Sequence, residues 1–238
     1  MNVLAIGNSF SCDGMTYVHQ IAKKDGNDIT TVNLFIGGCS LSTHYRNMLS
    51  EAQKYQIDFN GCMTGFYTSI KEALLSRDWD YITLQQASLF SPDYETYQPY
   101  LNELAAYVRK MCPKAKLGIH ETWAYEKVSE RLINLGYNTP DDMYNNIRKA
   151  YTIAAEDIKA DFYIPCGTIL HKLANEGLTV HRDTYHANKG IGRYALGMMW
   201  YAVLTGKDIS NIEFTDTDEP VSEEHTLLVK NLVKEILG

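Results

Sequence analysis

Two short stretches at opposite ends of the chain hold residues suited to activated-serine chemistry. The first is Gly7-Asn8-Ser9-Phe10-Ser11, directly after the apolar run Val3-Leu4-Ala5-Ile6. A serine on such a strand-to-helix turn can aim its hydroxyl into a cleft. Its own N–H then lies at a helix N-terminus, where developing negative charge is favoured. The same position also suits an ordinary helix N-cap. Ser40, in Gly38-Cys39-Ser40-Leu41-Ser42, repeats the G-x-S-x-S shape and is a rival nucleophile. The second stretch is Asp183-Thr184-Tyr185-His186. Its spacing puts a carboxylate within reach of the ring Nδ1–H, which would hold a general base in one tautomer. A metal reading can be drawn from His181, Asp183 and His186, but no further ligand cluster supports it.

Other candidates follow the remaining apolar runs. Gly38 can present a backbone N–H with no Cβ in the way, as an oxyanion donor must. Gln86 can donate from its side-chain amide to the same oxyanion, and Gln85 or Ser88 could do so instead. Asn8 is read as stabilising the nucleophile turn, with a left-handed turn residue as the alternative. Glu121 and Trp123 follow the run Lys116–His120 and are candidates for substrate contact.

The elements that must position these residues alternate between strand and helix. Val3–Ile6, Thr31–Ile36, Tyr81–Leu84, Lys116–His120 and Phe162–Ile164 are short, largely apolar runs that suit strands buried on both faces. Helices are expected over Cys12–Lys24, Ser42–Tyr55, Ile70–Leu75, Tyr97–Met111, Pro140–Lys159 and Ile191–Leu204. Residues 58–65 fit a loop or small hairpin, and 122–138 an irregular loop. The alternation predicts an α/β fold with a parallel sheet of five strands covered on both faces. Ligands in such sheets bind beyond the carboxyl ends of the strands, where the candidates above lie except for the late group His181, Asp183 and His186.

Composition narrows the class. The 238 residues have 22 Lys+Arg against 29 Asp+Glu, a formal net charge of −7. That disfavours a nucleic-acid surface, which needs clustered cations. At 45% hydrophobic residues the chain can bury a full core. No run reaches the roughly 18–20 apolar residues of a membrane span. The five cysteines are widely spaced and form no C-x-x-C, so neither a disulfide framework nor a zinc site is expected. No linker-like stretch divides the chain, so one domain over 1–238 is expected. No basic stretch followed by an apolar one precedes the first strand. A cytoplasmic location is therefore expected, or a periplasmic or secreted one if an export signal has been removed.

The motifs together resemble the SGNH (GDSL-like) hydrolases, and within them a branch of uncharacterised bacterial proteins opening with I-G-N-S-F-S. Ile6-Gly7-Asn8-Ser9-Phe10-Ser11 resembles the family's first block, with Asn8 where Asp is usual. Ile36-Gly37-Gly38-Cys39-Ser40 resembles the second, and Asp183-Thr184-Tyr185-His186 the last. The third block departs from the pattern: the family has G-x-N-D where this chain has Leu84-Gln85-Gln86-Ala87-Ser88. A Gln there resembles the sialic-acid-type acetylesterases of the wider superfamily. The resemblance implies a flavodoxin-like three-layer α/β/α sandwich, with five parallel strands in the order 2-1-3-4-5. It implies a Ser9–His186–Asp183 triad, and an oxyanion hole from Ser9, Gly38 and Gln86. It implies no cofactor, and a small-molecule or carbohydrate ester as substrate. The competing expectation is a non-catalytic module that binds phosphate, FMN or a glycan.

Overall fold

The computed structural model describes residues 1–238. Five adjacent strands of the sheet run parallel: β1 (Asn2–Gly7), β2 (Thr30–Phe35), β5 (Tyr81–Leu84), β6 (Lys116–His120) and β7 (Phe162–Ile164). Their lateral order is β2-β1-β5-β6-β7, which is the 2-1-3-4-5 order of the sequence reading. The direction of strand addition reverses at β1, and this reversal opens a crevice at the carboxyl ends of β1 and its neighbours.

The sheet has seven strands rather than five. Strands β3 (Tyr55–Phe59) and β4 (Cys62–Thr68) form an antiparallel hairpin that extends the β2 edge. The hairpin turn is Asn60-Gly61, with φ of 52° and 81°. Two left-handed residues in succession match the right-handed twist of a tight hairpin. A Cβ on Gly61 would also lie 2.2 Å from the Thr16 carbonyl oxygen, so the turn requires glycine. The expected helix 42–55 correspondingly stops early, at α3 (Leu41–Leu49).

Right-handed crossovers fix the layers. The chain moves one way from β1 to β2 through α1 (Ser9–Met15) and α2 (Val18–Lys24), two helices where one was expected. It moves the opposite way through α4 (Ile70–Leu75) into β5, through α5 (Tyr100–Met111) into β6, and through α6 (Glu130–Asn134) and α7 (Pro140–Asp157) into β7. Opposite travel with the same handedness puts the two helix groups on opposite faces. After β7 come α8 (Cys166–Asn175), α9 (Ile191–Thr205) and α10 (Glu223–Leu237). Helix α9 packs against α1, α2, α8 and α10 and is buried almost all round, which explains its continuous apolar run. Helix α8 escaped the sequence reading. No helix is long and apolar enough to cross a membrane.

Candidate functional site

The Ser9 turn is assembled from buried polar groups. Asn8 ends β1 in an extended conformation, φ −148°, so it is not a left-handed turn residue. Its Oδ1 accepts from Phe10 N–H at 3.0 Å, and Ser11 Oγ accepts from Asn8 N–H at 3.0 Å, closing a reciprocal cap on α1. Asn8, not Ser9, is therefore the cap. A Cβ on Gly7 would sit 2.2 Å from Ser11 Oγ, which explains the glycine. Ser9 is left with a free hydroxyl and with the first N–H of the helix, which has no intrahelical acceptor. Asn8 Nδ2 donates to the Cys39 carbonyl at 3.1 Å and so ties this turn to the glycine turn after β2. Below it, Gln85 Nε2 donates to Asn8 Oδ1, and Gln85 Oε1 accepts from His120 Nδ1, both at 2.8 Å. Complete burial pushes His120 down to about 3, which keeps its imidazole neutral.

The imidazole arrives on a loop closed by a bridge between His181 and Ala187 and by Arg182 N–H donating to the His186 carbonyl at 3.0 Å. Asp183 Oδ1 accepts from His186 N–H at 2.8 Å, and Oδ2 from the ring Nδ1 at 2.7 Å. Across 177 residues of sequence, His186 Nε2 lies 2.9 Å from Ser9 Oγ. Partial burial raises the Asp183 carboxyl, but the hydrogen bonds from His186 outweigh it and hold the group below its ordinary value. Thr184, between the two, has φ of 70°, costly for a β-branched residue by about 1–3 kcal/mol. It is held there by Glu126 N–H on its carbonyl at 2.8 Å and by its Oγ1 on Ser129 Oγ at 3.0 Å. Buried Asp13, one turn after Ser9 on α1, receives Arg182 at 2.9 Å and Arg193 at 2.9 Å. The loop that carries the imidazole is thus anchored to the helix that carries the hydroxyl.

Ser9, Gly38 and His186 line one cleft of about 430 Å³. Gly38 has φ of +62°, in the left-handed region, and its N–H donates to no protein group. Ser40 does not compete with Ser9: it caps α3, accepting from Thr43 N–H at 3.3 Å. His181 turns away from Asp183 and contacts the Ala124 carbonyl at 3.1 Å and Glu126 at 3.3 Å, so the proposed metal trio does not converge.

Three expectations are corrected. The Gln86 amide is fully engaged: Oε1 accepts from Leu41 and Ala87 N–H at 2.9 Å each, and Nε2 donates to the Thr96 carbonyl at 3.1 Å. It braces the loops and does not line the cleft. Of its alternatives, Gln85 is engaged beneath Asn8, while Ser88 reaches the cleft with its Oγ bonded to Tyr125 OH at 2.8 Å. Glu121 has no exposed side-chain surface; its Oε2 accepts from Thr168 N–H at 3.0 Å and Oγ1 at 3.1 Å. Trp123 is buried, stacks on Phe10 at 4.1 Å and donates Nε1–H to the Tyr185 carbonyl at 2.7 Å. Trp123 thus backs the cleft residues Phe10 and Tyr185, whereas Glu121 turns to the start of α8. In their place the cleft exposes Leu89, Phe90, Tyr185 and Arg131, which sequence reasoning did not single out. Arg131 comes from α6, inside the stretch expected to be irregular.

A family described as "Domain of unknown function (DUF4886)" matches residues 2–235, and the chain belongs to that family. The crystal structure of a DUF4886 family protein from Bacteroides uniformis is 31% identical, with a TM-score of 0.91 over 100% of this chain and 94% of that one. A protein from Slackia heliotrinireducens, provisionally named an SGNH hydrolase, is 21% identical, with a TM-score of 0.62 over 86% and 98%. A member of the lipolytic G-D-S-L family from Veillonella parvula is 14% identical, with a TM-score of 0.53 over 86% and 97%. No curated protein matches the chain. The fold is that of the SGNH and GDSL-like hydrolases.

Proposed function

We propose that this DUF4886 protein is a serine hydrolase of carboxylic esters, acting on short acyl groups, acetyl first among them. The observation that carries this reading is the unbroken chain Ser9 Oγ–His186–Asp183, with contacts of 2.9 and 2.7 Å. His186 Nε2 takes the Ser9 proton as Oγ attacks the ester carbonyl, and Asp183 holds the ring and stabilises the imidazolium. The tetrahedral oxyanion is received by the N–H groups of Ser9 and Gly38. His186 then gives its proton to the departing alcohol, and the acyl-serine is hydrolysed by a water that His186 activates. With Gln86 engaged elsewhere, this oxyanion hole rests on backbone donors. A carbohydrate alcohol is the reading that the resemblance to acetylesterases supports. Binding of phosphate or FMN at the same turn would leave the Ser9–His186–Asp183 chain without a role.

The test is hydrolysis of p-nitrophenyl acetate by the purified protein. Ser9→Ala is expected to abolish turnover. Unchanged turnover in that variant would reject the assignment.

A further inference from the structure

The cleft around Ser9 holds one group that the ester chemistry does not use. Its lining includes no Asp, Glu or Lys; apart from His186, the sole ionisable side chain with a charge is Arg131. Arg109, Arg148, Arg182 and Arg193 each face a carboxylate; Arg46, Arg77 and Arg131 have none within 4.0 Å, and of these three Arg131 alone lines the cleft. Its guanidinium lies 4.2 Å from the Tyr185 ring centroid. The Tyr185 ring in turn lies 4.1 Å from the His186 ring. One aromatic ring therefore separates the unpaired cation from the base. The contact with that ring holds the guanidinium at the cleft, beside the Tyr125 hydroxyl and with no carboxylate to neutralise it.

We infer that Arg131 is a specificity-determining residue that takes a carboxylate on the substrate, so that the preferred ester is an anionic one. This rests on the hydrolase reading above. The planar fork of a guanidinium matches a carboxylate bidentately, and such charge-assisted bonds are among the stronger ones available. The surrounding charge sharpens the argument. With a formal net charge of −7 the protein as a whole repels anions. An anionic substrate thus gains from this cleft and not from the general surface. The apolar side chains of Leu89 and Phe90 on the rim lower the local screening of that contact.

The experiment compares 4-acetoxybenzoate with its neutral counterpart, 4-acetoxybenzamide, in wild type and in Arg131→Met. Taking the carboxylate-to-amide ratio of kcat/KM within each protein and then comparing proteins removes the intrinsic reactivity of the two esters. The ratio is expected to fall about tenfold or more in Arg131→Met, mainly through KM. Arg131→Lys should retain part of it. Equal ratios in wild type and Arg131→Met would overturn the assignment. Should Arg131→Met fail to fold, wild type in rising NaCl decides: loss of the preference with salt supports the ion contact, and a salt-independent ratio overturns it. Calorimetric titration of Ser9→Ala with both compounds separates the two readings. Arg131-dependent binding of the carboxylate, without wild-type turnover of either ester, would overturn the hydrolase reading and leave the anion site standing. Turnover of both esters with no dependence on Arg131 would overturn the anion site alone.

Discussion

Asp13 accepts from Arg182 through both carboxylate oxygens, at 3.0 and 2.9 Å, across 169 residues of sequence. Asp13 shares a seven-residue helix with Ser9, and Arg182 precedes Asp183, so this pair sets the distance between hydroxyl and imidazole. Asp13→Ala should therefore separate the two. Removing one partner of a buried ion pair leaves Arg182 without a carboxylate and Arg193 with Asp218 alone, a loss of about 3 kcal/mol. Misplacement of the base on the order of 1 Å should lower kcat about a hundredfold. Urea unfolding and turnover of p-nitrophenyl acetate, measured on the same preparation, check both.

Asp183→Asn keeps the shape of the loop but removes the charge that supports the imidazolium. The expected fall in kcat is about 10³–10⁴. Adding Asp183→Asn to Ser9→Ala should cost almost nothing further, since the residues act as a unit. Additive losses in the double variant would argue against a shared step.

Gln86→Leu distinguishes a brace from an oxyanion donor. A donor would cost on the order of 10²–10³ in kcat. As a brace, Gln86 leaves Leu41 N–H, Ala87 N–H and the Thr96 carbonyl unpaired when removed. Each such buried group costs about 1–3 kcal/mol. The variant is expected to lose several °C in Tm while kcat at low temperature changes less than about tenfold.

Glu121 makes stability depend on pH. Its burial raises the carboxyl to about 7, with Thr168 N–H and Arg148 pulling the other way. A folded value above the unfolded one means that its stabilising contribution is complete below about pH 4.3, the ordinary value for Glu. It is lost as pH rises through about 7. His181, held by burial at about 4, works oppositely: its contribution is lost as pH falls from the ordinary value of about 6.5 towards 4. The difference between wild type and Glu121→Gln isolates the first effect. Wild type should lose stability relative to the variant between pH 5 and 8, by at most about 1.4 kcal/mol per pH unit. Parallel urea curves for both proteins across that range would contradict it.

The sequence was most legible where one physical rule acted alone. Val3–Ile6 is apolar because both faces of a central parallel strand are covered, and the short apolar run Phe162–Ile164 at the sheet edge was likewise read as a strand. Asp183 and His186 were paired from spacing because one loop holds both. Residues 58–65 were read as a loop or small hairpin, and Asn60-Gly61 is the turn of that hairpin; β3 and β4 went unread as strands, since the Gly65-Phe66-Tyr67 run is exposed and shows no alternation. Gln86, Glu121 and Trp123 were assigned to the cleft because they follow strand ends, but position along the chain does not say which way a side chain turns. Gln86 turns toward Thr96, Glu121 toward Thr168 and Trp123 toward Phe10. Arg131 was missed for the converse reason: a five-residue helix in a loop rich in charge carries no periodicity to mark it.

The amides beneath Ser9 form a one-way circuit. His120 donates to Gln85, Gln85 donates to Asn8, and Asn8 donates to the Cys39 carbonyl. Reversing any one amide would set donor against donor or acceptor against acceptor. The neutral imidazole at its head keeps the same polarity from mildly acidic to alkaline solution. The platform under the hydroxyl thus has a single self-consistent setting, fixed when the chain folds, and an arriving ligand meets it already in register.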